Sequence, residues 1–404
     1  MNKNITFEKL EPYVYVTKLA GFEHSEFIQP NATKKPKLET DIPMVQGKNI
    51  RDGVFVEKYD WYISRNISDS LPRSVLNKKC ILIPYVGSNL GEVGIFPNKY
   101  RCHLASNIAK LELINDKYDL EYLMYYFQSP IGQSYLFKDK QGSSQPNITM
   151  ESIRNSKVII KPIIEQKKIA KILSKISRKI ENNNAINNNL LTMIDTIYQE
   201  FVFSERAQKT KFKVQNMFTN DLFSLIKPGV SEFDTKIYYA TSEVNGMNIG
   251  NGWTISYKNR ESRANMAPTL YSVWFAKMKN SVKHLFLNNE MSNFIDKSIL
   301  STGFYGLQCN ELTFEYVASV IHNENFEKLK DILSHGATQQ GIGDDDLKNI
   351  KLLVPKHELL EEYHNKTSPM FSLIAKNINE NNTLIQLRNE LLPLLMNGQA
   401  TIDE

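Results

Sequence analysis

The stretch PIIEQKKIAKILSKISRKIENNNAINNNLLTMIDTIYQEF, Pro162 to Phe201, decides how the rest of the chain is read. Ile163, Ile169, Ile172, Ile176 and Ile180 recur at helical spacings, and Ile186, Leu190, Ile194 and Ile197 resume the pattern beyond an asparagine-rich middle. The spacing predicts one long helix. Pro162 suits its start, because an amide hydrogen there would have no partner in any case. About forty residues make a rod roughly 55 to 60 Å long, with an apolar stripe that needs a cover.

The expected cover lies at the far end of the chain. Between about Glu358 and Leu395, the residues Phe371, Ile374, Ile378, Ile385 and Leu391 form a second interrupted stripe around the polar segment Asn377 to Asn382. Asparagines break both stripes at mid-length: Asn182, Asn183 and Asn184 in one, Asn379, Asn381 and Asn382 in the other. Buried in a seam they would fix its register at a cost in stability. Facing water they would do nothing, and the pattern leaves both readings open.

Composition sets broad bounds. A chain of 404 residues, 41% apolar and 23% charged, has room for two soluble globular domains. The net charge of +5 is compatible with a polyanionic partner without identifying one. Cys80, Cys102 and Cys309 stand in no CxxC or Cys/His spacing, which argues against structural zinc and a disulfide framework. The opening MNKNITFEKL has no apolar run of the signal-peptide kind, and no stretch approaches eighteen apolar residues. The cytoplasm is the expected location.

The chain also repeats itself. FEYVASVIHN (Phe314 to Asn323) lines up with LEYLMYYFQS (Leu120 to Ser129) at an offset of 194, from 120 to 314. The same offset sets GATQQGI (Gly336 to Ile342) on GSSQPNI (Gly142 to Ile148), matching Gln339 with Gln145. With one residue deleted, IKLLVPKHE falls on KVIIKPIIE, matching Pro355 with Pro162 and Glu358 with Glu165. The order is globe, rod, globe, rod. Two rods of this kind are expected to pack side by side and antiparallel.

The repeated segments GSSQPNITMESIRNSKVIIKPIIEQKKIAKIL and GATQQGIGDDDLKNIKLLVPKHELLEEY resemble the specificity subunit of type I restriction-modification systems. LIQLRNELLPLLMNGQ (Leu384 to Gln399) is similar to that family's closing segment, and KPGVSEFDTKIYYATSEVNG (Lys227 to Gly246) to the start of one of its target-recognition domains. VPKHELLEEY departs from the pattern, lacking the pair that Glu165 and Gln166 form in the first copy.

The resemblance implies an α+β fold: two similar mixed α/β target-recognition domains separated by two long helices in an antiparallel coiled coil with pseudo-two-fold symmetry. The expected divisions are 1–160 and 204–357 for the domains, 161–203 for the first helix, and 358–404 for the second helix and tail. Implied partners are double-stranded DNA, two copies of a methyltransferase subunit, and restriction or translocase subunits. The chain would read a bipartite site and carry no chemistry, cofactor or metal of its own.

The residues agree that chemistry is missing. There is no NPPY-like tetrapeptide, no GxxxxGK[ST] loop, no HExxH and no GxSxG. GSNLGEVG (Gly87 to Gly94) lacks the Lys and Ser or Thr of a phosphate loop and reads as a tight connection near DNA. The acids of GDDDL (Gly343 to Leu347) suit the positive end of a helix. The competing readings are a coiled-coil scaffold without sequence-specific DNA binding and a fused nuclease or methyltransferase.

Candidate DNA contacts follow from side-chain chemistry, since Arg and Lys pair with guanine, Asn and Gln with adenine, and cations with phosphate. In the first globe they are Lys48, Asn49, Arg51, Arg65, Arg73, Lys78, Lys79, Ser88, Asn89, Lys138, Lys140 and Gln145. In the second they are Lys227, Thr241, Ser242, Asn248, Lys258, Arg260, Arg263, Lys277, Lys279, Lys283, His284 and Gln339. Lys167, Lys171 and Lys175, with Lys168, Arg178 and Lys179, crowd the first half of the first rod and are candidates to cross a DNA backbone between the half-sites. For each cation a solvated surface charge is the alternative. Gln145 and Gln339 occupy a position common to both copies and so cannot encode a difference between targets. Specificity is expected from the unmatched centres, roughly 45–110 and 240–310.

Overall fold

The computed structural model describes residues 6–51, 53–138, 146–203, 212–336 and 340–400. The chain divides into two compact units, residues 1–177 with 387–404, and residues 178–386. Each holds sheets, short helices and parts of both long helices.

In the first unit an antiparallel sheet takes the order Val14–Lys18, Ile108–Leu113, Cys80–Pro84, Gly94–Phe96. A second sheet runs Tyr62–Ile63, Ile42–Val45, Cys102–Leu104, Val75–Leu76, with its central pair parallel. CILIP is buried at all five positions, and its alternating side chains serve two cores. Ile81 and Ile83 join Tyr122, Leu123 and Phe127 of the helix Leu120–Gln128, whereas Cys80 and Leu82 join Val45, Leu76 and Leu104 of the second sheet. A period of two between apolar layers turns an unbroken hydrophobic run into a central strand.

The second unit repeats this plan. Its sheets run Phe223–Ile226, Phe304–Cys309, Ser272–Ala276, His284–Leu287 and Trp253–Ile255, Lys236–Tyr239, Ser298–Ser301, Ala264–Met266, the latter again with a parallel central pair. The offset of 194 holds far beyond the segments matched in sequence. It relates Ile42–Val45 to Lys236–Tyr239, the turn Gly47–Asn49 to Thr241–Glu243, and the paired strands Ile50–Arg51 and Val54–Phe55 to Val244–Asn245 and Asn248–Ile249. The opening part of the centres expected to be unmatched, residues 45–55 and 239–249, therefore shares a backbone and differs in side chains.

The long helices span Ile163–Phe203 and His357–Met396. Their starts are also 194 apart, so the one-residue deletion is not needed. Pro162 accepts the amide of Gln166 at 3.0 Å, and Lys356, not Pro355, accepts that of Leu360 at 3.1 Å. Pro355 ends the strand Lys351–Pro355. Gln166 is wholly buried and ties the first helix to Asp119, Lys117 and Lys161, whereas the equivalent Leu360 is a core residue.

The helices pair within each unit. In the first, Ile169, Ala170 and Leu173 share a core with Leu392, Leu395 and Met396. The seam there runs through Leu173 in place of the expected Ile172, which is half-buried. In the second, Asn183 meets Asn381 at 2.9 Å, Asn187 meets Asn377 at 2.8 Å, and the rings of Phe201 and Tyr363 lie 4.9 Å apart. Rising numbers on one helix meet falling numbers on the other, which makes the pair antiparallel. The four asparagines are buried, while Ile186, expected in the stripe, is 43% exposed.

Candidate nucleic-acid interface

In the second unit four separate stretches of chain meet at one rim. Ile342 donates its amide to Lys277 O and Lys279 donates to Gln340 O, both at 3.0 Å, which seats the repeat loop on the end of the strand Ser272–Ala276. Lys277 N donates to Gly303 O and His284 N to Gly246 O, each at 2.9 Å. The Lys283 ammonium donates to Thr241 O. These bonds gather Thr241, Lys277, Lys279 and Lys283 beside the turn and hairpin that carry the exposed Ser242 and Asn248. Lys277 lies 4.2 Å over the ring of Tyr305. Burial pulls the ammonium groups of Lys277 and Lys283 below their ordinary value. Cations already partly stripped of water lose less hydration on meeting a phosphate.

The first unit builds an equivalent rim. Ile148 donates to Tyr85 O at 2.9 Å, as Ile342 does to Lys277. Tyr85 N donates to Asn107 O at 3.2 Å, and Asn107 Oδ1 accepts Gly47 N at 3.0 Å. The Asn89 amide donates to Ile50 O at 3.1 Å and binds the glycine-rich loop to the hairpin. Exposed Lys48, Arg51 and Ser88 stand on these elements. Lys48 is ion-paired with Asp60. Lys18 lies 4.4 Å over the Tyr85 ring.

Two candidates are corrected by burial. Asn49 is 1% exposed, its amide donating to Val56 O and Lys58 O at 2.8 and 2.9 Å while its oxygen accepts Gln46 N. His284 is 2% exposed with Nε2 2.8 Å from Glu327. Both serve the inside of the protein and have no edge to offer a base.

Other candidates stand apart from these contacts. Arg73 pairs with Glu23 at 3.2 Å and Lys78 with Glu112 at 2.7 Å. Arg65 and Lys79 are exposed on the same unit, as is Lys138. Arg260 folds onto its own turn, 3.9 Å over Tyr257 and donating to its carbonyl. Lys227, Lys258 and Arg263 are exposed. Arg263 O accepts Thr302 N at 2.9 Å, one residue from the Gly303 contact of the rim. Lys167, Lys171 and Lys175 are exposed at four-residue spacing, in one stripe of the first long helix. Lys140, Gln145 and Gln339 lie outside the described residues.

The sequence reading missed what supports the rims. Gln133 donates to Gly91 O at 2.9 Å and Gln128 to Val93 O at 2.8 Å. At 194 residues' remove, Glu327 takes the place of Gln133 and His322 that of Gln128. Glu327 holds His284 and pairs with Lys330 at 2.6 Å, and fully buried Lys330 donates to Ser281 O. The matched segments already pair Gln128 with His322, and extending the offset four residues past them pairs Gln133 with Glu327. Among the described residues no group of His, Cys, Asp and Glu is placed to hold a metal.

Residues 28–192 match the type I restriction modification DNA specificity domain. Two specificity subunits of Methanocaldococcus jannaschii, of the type I restriction enzymes MjaVIII and MjaIX, are 24% and 23% identical to this chain. Each alignment spans 93% of this chain, and 92% and 90% of the respective relative. The crystal structure of a type I restriction-modification S subunit from M. genitalium shares the fold, with a TM-score of 0.54 at 14% identity over 100% of this chain and 98% of that one. With the doubled plan and paired helices described above, the chain is similar over nearly its whole length to type I restriction-modification specificity subunits, and its residues 28–192 match their DNA specificity domain.

Proposed function

We propose that this chain is the sequence-specific DNA-binding subunit that recognises a bipartite site and directs adenine-N6 methyltransferase and restriction subunits to it. One observation carries the reading: both units assemble a rim from the same four stretches of backbone and dress it with different polar side chains. A shared frame positions the duplex through phosphate contacts, and differing side chains read different base edges. Lys277, Lys279 and Lys283 serve one half-site, and Lys48, Arg51, Ser88 and Asn89 the other. The long helices set the number of unread base pairs between them.

Two copies of the methyltransferase subunit suit the two equivalent halves, one adenine being flipped in each half-site. The chain itself contributes geometry and no catalytic group, cofactor or metal, and it works in the cytoplasm. No described helix is long and apolar enough to cross a membrane. The test is to produce the chain with a partner methyltransferase and sequence the methylated DNA at single-molecule level. A two-part motif with a fixed gap is expected. Methylation without such a motif, with DNA binding indifferent to sequence, would favour a scaffold and overturn the reading.

A further inference from the structure

Positions 49 and 243 are 194 residues apart, and each closes a three-residue turn immediately before its hairpin. The main chain does the same at both. Val56 N donates to Asn49 O at 2.8 Å, and Gly250 N, at the equivalent position, to Glu243 O at 2.7 Å. Both side chains then reach the residue two further on, at the other equivalent pair, 58 and 252. Their polarity is opposite. Asn49 donates to Lys58 O at 2.9 Å, whereas Glu243 accepts Gly252 N at 3.2 Å. Gly252 has φ +58, in the region that favours glycine, and Lys58 is not among the positive-φ residues. The segment after the hairpin is thus turned to show a carbonyl in one unit and an amide hydrogen in the other.

We infer that Asn49 and Glu243 are positioning residues for sequence reading, each latching shut the base of the hairpin that carries Arg51 in one unit and Asn245 and Asn248 in the other. This rests on the proposed DNA reading and deepens it. Neither residue needs to touch DNA. A hairpin loose at its base would present the same side chains at a wrong angle, so base choice in its own half-site would relax while phosphate contacts elsewhere stayed.

The test uses the full chain produced with its partner methyltransferase, with the motif read by single-molecule sequencing. Asn49→Asp keeps the shape, removes both donors and sets a carboxylate against two carbonyl oxygens. Base discrimination should fall about tenfold in one half-site and hold in the other. Glu243→Ala should do the same to the opposite half-site. Glu243→Gln, which keeps an acceptor oxygen, should restore the wild-type motif, a rescue that general loosening would not show. Melting curves identify a variant that fails to fold, and if Asn49→Asp does so the Glu243 pair decides alone. An unchanged motif in Glu243→Ala, or a Glu243→Gln variant as relaxed as Glu243→Ala, overturns the latch. A wild-type chain without any two-part motif overturns the proposed function itself, so the two failures are distinct.

Discussion

Asn183 donates its amide to the side-chain oxygen of Asn381 at 2.9 Å, and Asn377 donates to Asn187 at 2.8 Å. The repeat offset carries 183 onto 377 and 187 onto 381, so the two bonds are one contact written twice with the partners exchanged. Asn183→Leu alone should cost about 1–3 kcal/mol, because it strips a buried acceptor of its donor. The pair Asn183→Leu with Asn381→Leu should recover most of that loss while weakening the choice of register. Urea unfolding of both variants checks it; a double variant no more stable than the single would contradict the account.

The exchange of partners places Ala185 and Asn379 at the centre of the helix pair. Seven residues inserted after each would keep both asparagine bonds and add about 10 Å of helix, or about three base pairs at 3.4 Å each. The methylated motif of such a variant should show an unchanged pair of half-sites with a gap longer by about three. A motif with its original gap would show that the helices do not set the distance.

Lys167, Lys171 and Lys175 form an exposed stripe without ion pairs among the described residues. If they follow phosphates between the half-sites, replacing all three with Ala should lower the salt slope of DNA binding by about one unit per lost contact and leave the motif intact. Equal affinity across a salt titration would assign the stripe to solvent or to a partner subunit.

His322 offers a pH test of the charged support under the second rim. Burial, and behind it the charge of His284, holds its imidazole down at about 4, with Asp195 and Glu327 also facing this cluster. Between the ordinary histidine range and that value the unfolded chain binds a proton that the folded chain refuses. Stability is untouched by this group above about pH 6.5 and falls as the solution is acidified from there to about pH 4. At pH 5 the penalty is about 2 kcal/mol. His322→Gln, which copies the neutral residue at the equivalent position 128, should remove that part of the loss between pH 7 and pH 5 in urea unfolding. His103, also held at about 4 by burial, leaves the rest of the acid sensitivity in place. An identical loss in wild type and variant would locate the titration elsewhere.

Helix length, antiparallel pairing and the doubled plan were legible because periodicity and a constant offset survive in residue types. The matched centres were not. Gly47–Asn49 and Thr241–Glu243 share a backbone turn that many sequences can adopt, and the side chains on it differ in kind. Asn49 and His284 looked like base readers because their chemistry suits the task, but polar groups that hold a fold together draw on the same chemistry. Only burial tells them apart. Pro355 misled the alignment for a related reason: a proline is equally at home ending a strand and opening a helix.

The opposed polarity of the latches limits how the two halves can trade parts. A crossover that joined the first hairpin and Lys58 to a framework retaining Glu243 would bring a carboxylate against a carbonyl oxygen, while the reciprocal crossover would leave two amide donors facing each other. Viable recombinants must therefore inherit the turn, the hairpin and the residue beyond it as one block. Natural shuffling of half-site specificities in this chain should leave its breakpoints outside residues 46–58 and 240–252.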